Sequence, residues 1–216
     1  MKFEKGAILP AATPRGFTIL EVIVAMAIGL VALASAYSVF VAHNRTYKVE
    51  ERIAEMIQNA RAGMDMMTRE VRMAGYDPFI PPADAGIVSA QANSIEFTMD
   101  ITSSFGADQA DGDTDDQNEH ITYLLYTASG IQKLGRRSTA NAVSQPVADH
   151  ISALSFRYFD AAGLLLGMPV ADTSVIRRIE ITLTARTALP DPTFAQNGGY
   201  RTYTLTSMVT PRNLGL

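Results

Sequence analysis

Apolar and small residues run without a single charge from Val22 to Ala42, broken only by Gly29, Ser35 and Ser38. A helix rises ~1.5 Å per residue, so this run is long enough to cross a hydrocarbon core of ~30 Å. Past it the pattern turns polar but keeps a helical period. Ile53, Met56, Ile57, Ala60, Met64, Met67, Val71 and Ala74 recur at spacings of three and four. Between them lie Glu51, Arg52, Glu55, Gln58, Arg61, Asp65, Arg69, Glu70 and Arg72, which predicts an amphipathic helix with one apolar stripe. Gly75-Tyr76-Asp77-Pro78 supplies the stop, a glycine at the position after the helix and a proline beyond it. One helix from Thr18 to Ala74 would be ~85 Å long.

Beyond Pro81 the period falls to two. Ile95, Phe97, Met99 and Ile101 alternate with Glu96, Thr98 and Asp100, and Ile121, Tyr123 and Leu125 form a second run. Leu154, Phe156 and Tyr158 make a third, Ile179 to Ala185 a fourth between Arg178 and Arg186, and Tyr203 to Val209 a fifth. Each reads as a strand with one buried face. Turn signals separate them at Asp100–Asp116, Ala162-Gly163, Gly167-Met168-Pro169, Pro190-Asp191-Pro192 and Asn197-Gly198-Gly199. Short spacings favour antiparallel pairing, and the second half of the long helix is the available cover for the sheet. The expected class is α+β, a long N-terminal helix packed on an antiparallel β-sheet head. The segments follow: a short leader at 1–16, a transmembrane half-helix at 17–42, an amphipathic half-helix at 43–75 and a β-rich head at 76–216.

Composition narrows the chemistry. Cysteine is absent, which excludes disulfides, thiolate metal sites and cysteine catalysis. A net charge of −4, with basic residues scattered in ones and twos, argues against nucleic acid as a partner. No Gly-x-Ser-x-Gly elbow and no glycine-rich phosphate loop leading to a lysine occurs, and the chain is not expected to be an enzyme. His43, His120 and His150 fit no zinc spacing; His43 falls at the expected membrane interface and the other two at expected strand ends.

The N-terminal flank is where the sequence is most specific. Lys2, Lys5 and Arg15 stand before the apolar run with Glu4 as the only acid, which holds this end in the cytoplasm and sends the rest outward. An ordinary secretory signal is cut after its apolar region. Here the suggestive site lies before it, between Gly16 and Phe17, so that cleavage leaves the whole apolar helix on the mature protein. Glu21 is a carboxylate at the edge of a spanning helix, a costly placement and a functional-site candidate by default. As the fifth residue of the mature chain it would pair with the free α-amino group of a neighbouring subunit and fix the stagger between them. The plainer alternative is a carboxylate solvated at the headgroup level.

Gly16-Phe17-Thr18-Ile19-Leu20-Glu21 followed by Val22-Ile23-Val24-Ala25-Met26-Ala27 resembles the cleavage and methylation motif of type IV prepilins. The resemblance implies that a prepilin peptidase removes Met1–Gly16 and N-methylates Phe17. It implies a type IV pilin-like fold, an inner-membrane anchor with a periplasmic head, and assembly with other major and minor pilins on an inner-membrane platform. The chain departs from many major pilins in lacking proline between Phe17 and Gly63. Gln58 to Tyr76, with Ile151–Asp160, Ile176–Arg186 and Pro211-Arg212-Asn213-Leu214, is similar to minor pilins of the PilW type, and more loosely to the J minor pseudopilin of type II secretion. A minor pilin that primes or caps a pilus is the leading expectation. A secretion pseudopilin and an adhesive calcium-binding module on a pilin stem are the alternatives.

No cofactor is expected, calcium being the one open possibility. Asp108, Asp111, Asp113, Asp115, Asp116 and Glu119 put carboxylates at alternate positions around Gly112, a pattern that can wrap a hard cation. Thr122 stands where an EF-hand loop starting at Asp111 needs glutamate, and Asp116 where it needs glycine. A solvated acidic loop is the competing reading.

Overall fold

The computed structural model describes residues 16–101 and 110–215. Two compact units are distinguished, Met1–Lys48 and Val49–Leu216. The element common to both is helix α1, Ile19–Met73, uninterrupted through Gly29 and within one residue of the expected bounds at either end. In the first unit the described residues are almost all exposed, including Ile23, Met26, Leu30, Leu33 and Phe40. This part of α1 is long and apolar enough to cross a membrane, and none of its apolar stretch is buried within the protein.

In the second unit the helix has a one-sided stripe: Met56, Ala60, Gly63, Met64, Met67, Thr68 and Val71 are buried. Ile53 and Ile57 pack partly buried against the same core. Burying a Met or Val side chain contributes about 1.5–3 kcal/mol, so the stripe is enough to hold the helix to its cover. Gly75 ends α1 at φ +78. A Cβ there would lie 2.7 Å from Leu214 Cδ2, so glycine is required by both conformation and space.

The head holds two antiparallel sheets rather than one. The first runs in the order β1 (Ile87–Ala90), β2 (Ser94–Thr98), β3 (His120–Ala128), β4 (Ile131–Arg137), β5 (Gln145–Asp149). The second is β6 (Ile151–Phe159), β7 (Arg178–Arg186), β8 (Thr202–Val209). Their inner faces and the α1 stripe share one core, with Phe97, Ile121, Tyr123 and Leu134 from the first sheet and Phe156, Tyr158, Ile181 and Leu183 from the second. The helix reaches both sheets at Gly63, where a Cβ would meet Leu134 at 3.0 Å, Ala148 at 3.3 Å and Leu183 at 3.8 Å.

The expected run from Ile95 to Ile101 is corrected at its end. β2 stops at Thr98, and Met99 and Asp100 turn inward, their amides donating to the Glu119 and Tyr76 carbonyls. Thr98 and Asp100, expected on a solvent face, are therefore buried. A polar tie joins α1 to the first sheet. The Tyr123 hydroxyl donates to Glu70 Oε2 at 2.7 Å, and Arg136 Nε donates to both Glu70 oxygens at 2.9 and 3.1 Å.

Candidate functional site

At the start of α1, Thr18 and Glu21 bond reciprocally. The Thr18 amide and hydroxyl both donate to Glu21 Oε2 at 3.0 Å, and the Glu21 amide donates to Thr18 Oγ1 at 3.2 Å. This is a capping box: a helix begins with amides that lack partners, and two side chains three residues apart satisfy them. The negative carboxylate also sits at the positive end of the helix dipole. Glu21 thus has a role within its own helix as well as an exposed carboxylate. One oxygen holds the helix start, and Oε1 makes no hydrogen bond among the described residues. Phe17 is 87 % exposed, and among the described residues nothing lies within 4 Å of a Cβ placed on Gly16. The bond between these two residues is open on the Gly16 side. Thr18-x-x-Glu21 is a recognisable sequence signal for a capping box, a role that neither the pairing nor the solvated reading of Glu21 included.

The acidic loop is the second place where predicted residues gather. Asp111, Asp113 and Asp116 each offer a carboxylate oxygen within 4.8 Å of the others. Asp115 is not part of that trio, although its amide donates to Asp113 Oδ1 at 3.2 Å. Its carboxyl is raised above the usual carboxylate range, by its hydrogen bond to Asp113 first and then by repulsion from it. Glu119 is fully buried and faces the main chain: it accepts the Ile101 amide at 2.8 Å and the Asp116 amide at 3.2 Å. Asp108 lies outside the described residues. Asp100, not counted among the candidates, anchors the loop by accepting the Asp111 and Gly112 amides at 3.1 Å each. Burial pushes its carboxyl up, against the pull of those two donors. Its neighbours in sequence gave no cue, because alternation placed it on a wet face.

His120 and His150 lie at strand ends as expected. His120 opens β3 and pairs with Glu96 on β2, and His150 stands between β5 and β6 in a left-handed conformation at φ +58.

Residues 13–37 match the family model of the prokaryotic N-terminal methylation motif. The chain carries a prepilin-type N-terminus. That match spans the Gly16–Phe17 bond, the Thr18–Glu21 cap and the first turns of the apolar helix. Among curated proteins no match is found. Among solved structures, a type IV-like pilin from Thermus thermophilus is similar with a TM-score of 0.48 and 12 % identity, covering 73 % of this chain and 97 % of that one.

Proposed function

We propose that the chain is a minor pilin, a non-enzymatic structural subunit that primes or caps a type IV pilus. The observation that carries this reading is the methylation motif over residues 13–37, placed on a capped apolar helix whose partner-less surface suits a lipid bilayer or a helical bundle. In this reading a prepilin peptidase cuts between Gly16 and Phe17 and methylates Phe17. The helix waits in the inner membrane with its head in the periplasm. Glu21 Oε1, left over by the cap, then accepts the α-amino group of a neighbouring pilin. Transfer from the assembly platform into the filament is tolerable because apolar helix packing replaces lipid contact. Intact mass spectrometry of the protein from membranes and sheared filaments tests it. The expected mass is that of a chain starting at methylated Phe17; assembled material that still carries Met1–Gly16 refutes the proposal.

A calcium-dependent adhesive head is a second reading, favoured by the convergence of Asp111, Asp113 and Asp116. It shares the same anchor and is separated by its response to calcium.

A further inference from the structure

Four strands form the edges of the two sheets, and three of them are blunted. β1 is broken by a bulge between Ile87 and Ser89, and its Ala90 carbonyl accepts the Val170 amide. β5 is five residues long and contains Pro146, which has no amide to donate. β6 has a bulge between Ile151 and Ala153, while the Phe156 amide donates to the Ala92 carbonyl and the Tyr158 and Phe159 carbonyls accept the Leu166 and Arg177 amides. β8 has none of these devices. Its eight residues pair with β7 in one unbroken register, and every second residue aims its amide and carbonyl away from that partner. Among the described residues no main-chain hydrogen bond from another element reaches that side. The strand holds no charge and no proline, whereas edges that must stay single use charges, prolines or bulges.

We propose that β8 is an interaction edge that takes an uncharged, extended strand of a different polypeptide by antiparallel sheet addition. Its two faces define that strand. On the outer face Thr184 and Thr204 hydroxyls lie 2.9 Å apart and Thr182 and Thr206 hydroxyls 3.1 Å apart, a ladder that hydroxyl side chains on the next strand would extend. On the inner face Tyr203 and Leu205 are only partly buried, and apolar side chains on the added strand would cover them. A charged residue on the added strand would find no counter-ion on β8. The partner strand therefore alternates hydroxyl and apolar residues.

Direction excludes a second copy. Arg186, paired with Thr202, lines the same depression as Arg52, and the Arg212 amide donates to the Arg72 carbonyl, so β8 runs in the same direction as α1. Leu134 lies at Gly63 and Arg136 bonds Glu70, so β4 also runs with α1; antiparallel pairing then makes β6 run the same way as β8, and β1 and β5 the opposite way. In an assembly whose subunits share the direction of α1, only β1 or β5 of another copy would be antiparallel to β8, and both are blunted. This choice of partner rests on the filament-subunit reading; the exposed edge itself does not.

The test compares full-length protein in detergent micelles with the same protein in membranes and filaments of the cells that make it. Amide exchange is read across β8, and a photoreactive residue replaces Thr204 or, as control, the exposed Leu189. Pairing is expected to slow exchange of alternate β8 amides by about 100-fold or more on assembly. The Thr204 adduct is expected to map to an uncharged extended segment of another protein. With the photoreactive residue moved to Thr206, Thr204→Lys should lower that adduct about tenfold while near-ultraviolet circular dichroism shows the fold intact. Unchanged exchange, an adduct to a second copy, or labelling no greater than at Leu189 overturns the proposal. The N-terminus is read by mass in the same samples. A chain starting at Phe17 with unprotected β8 refutes only the edge proposal, and protected β8 on an unprocessed chain refutes only the pilin reading.

Discussion

Replacing Tyr123 by Phe removes one hydroxyl and nothing else from the contact between α1 and the first sheet. The ring is fully buried and keeps its packing, so no cavity opens. What is lost is a 2.7 Å hydrogen bond to the Glu70 carboxylate. Bonds to charged groups contribute about 1.5–3 kcal/mol. The lower part of that range applies here, because Arg136 still holds both Glu70 oxygens and the carboxylate is not orphaned. Tyr158→Phe is the internal control: its hydroxyl donates to the neutral carbonyls of Gln91 and Ser94 at 3.1 and 3.3 Å, and its loss should cost about 0.5–1.5 kcal/mol. For a head of this size each kcal/mol moves Tm by about 2–4 °C, so Tyr123→Phe should lower Tm by about 3–8 °C. Thermal and urea unfolding of the full-length protein in micelles, followed by near-ultraviolet circular dichroism, measures both variants. A cycle with Glu70→Gln should show coupling of about 0.5 kcal/mol or more. A Tyr123→Phe cost no larger than that of Tyr158→Phe, or no coupling to Glu70, would refute the tie as described.

Glu21→Gln keeps the cap geometry but not the charge, whereas Glu21→Ala removes both; both should insert in membranes and both should fail to enter filaments, and normal incorporation of the Gln variant sinks the charge-pairing role. Asp191 is held at about 2 by hydrogen bonds from Thr193 and then Arg201. A depressed carboxyl stabilises the fold above its unfolded value of 3.8 and loses that contribution as pH falls toward 2. The acid-induced fall in Tm over that window should be shallower in Asp191→Asn. Repulsion at the acidic loop is relieved by a divalent cation, so millimolar calcium is expected to raise Tm and Asp113→Asn to abolish the rise; an unresponsive parent protein retires calcium. At Gly63 the close approach of Leu134 and Ala148 leaves no room for a long side chain. Gly63→Leu should cost about 1–3 kcal/mol or more, while Gly63→Ala should stay within about 1 kcal/mol because helix propensity offsets the tight fit.

The parts of the fold that were legible are those where one period runs long enough to be seen. The α1 stripe and strands β3, β6, β7 and β8 all follow their hydrophobic patterns. β4 did not, because Gln132, Lys133, Arg136 and Arg137 mask it; Lys133 is spoken for by Asp149 at 2.8 Å and Arg136 by Glu70, partners 16 and 66 residues away. β5 was hidden by Pro146 and β1 by its four-residue length. The division into two sheets depends on pairing and leaves no local mark. At the N-terminus the proposed cut site and Glu21 stood out by residue type, since a carboxylate beside an apolar run is rare. In the acidic loop composition could not tell Glu119, which serves buried amides, from Asp111, Asp113 and Asp116, which face one another.

The reciprocal bonds of Thr18 and Glu21 also bear on the cleavage proposed above. Every atom of that cap lies after the Gly16–Phe17 bond, so these hydrogen bonds of the helix start are made within the helix's own first residues. If that bond is cut as proposed, none of the three cap hydrogen bonds loses an atom. On that reading the same cap serves the helix before and after the cut, and its hydrogen bonds need not break for a peptidase to act.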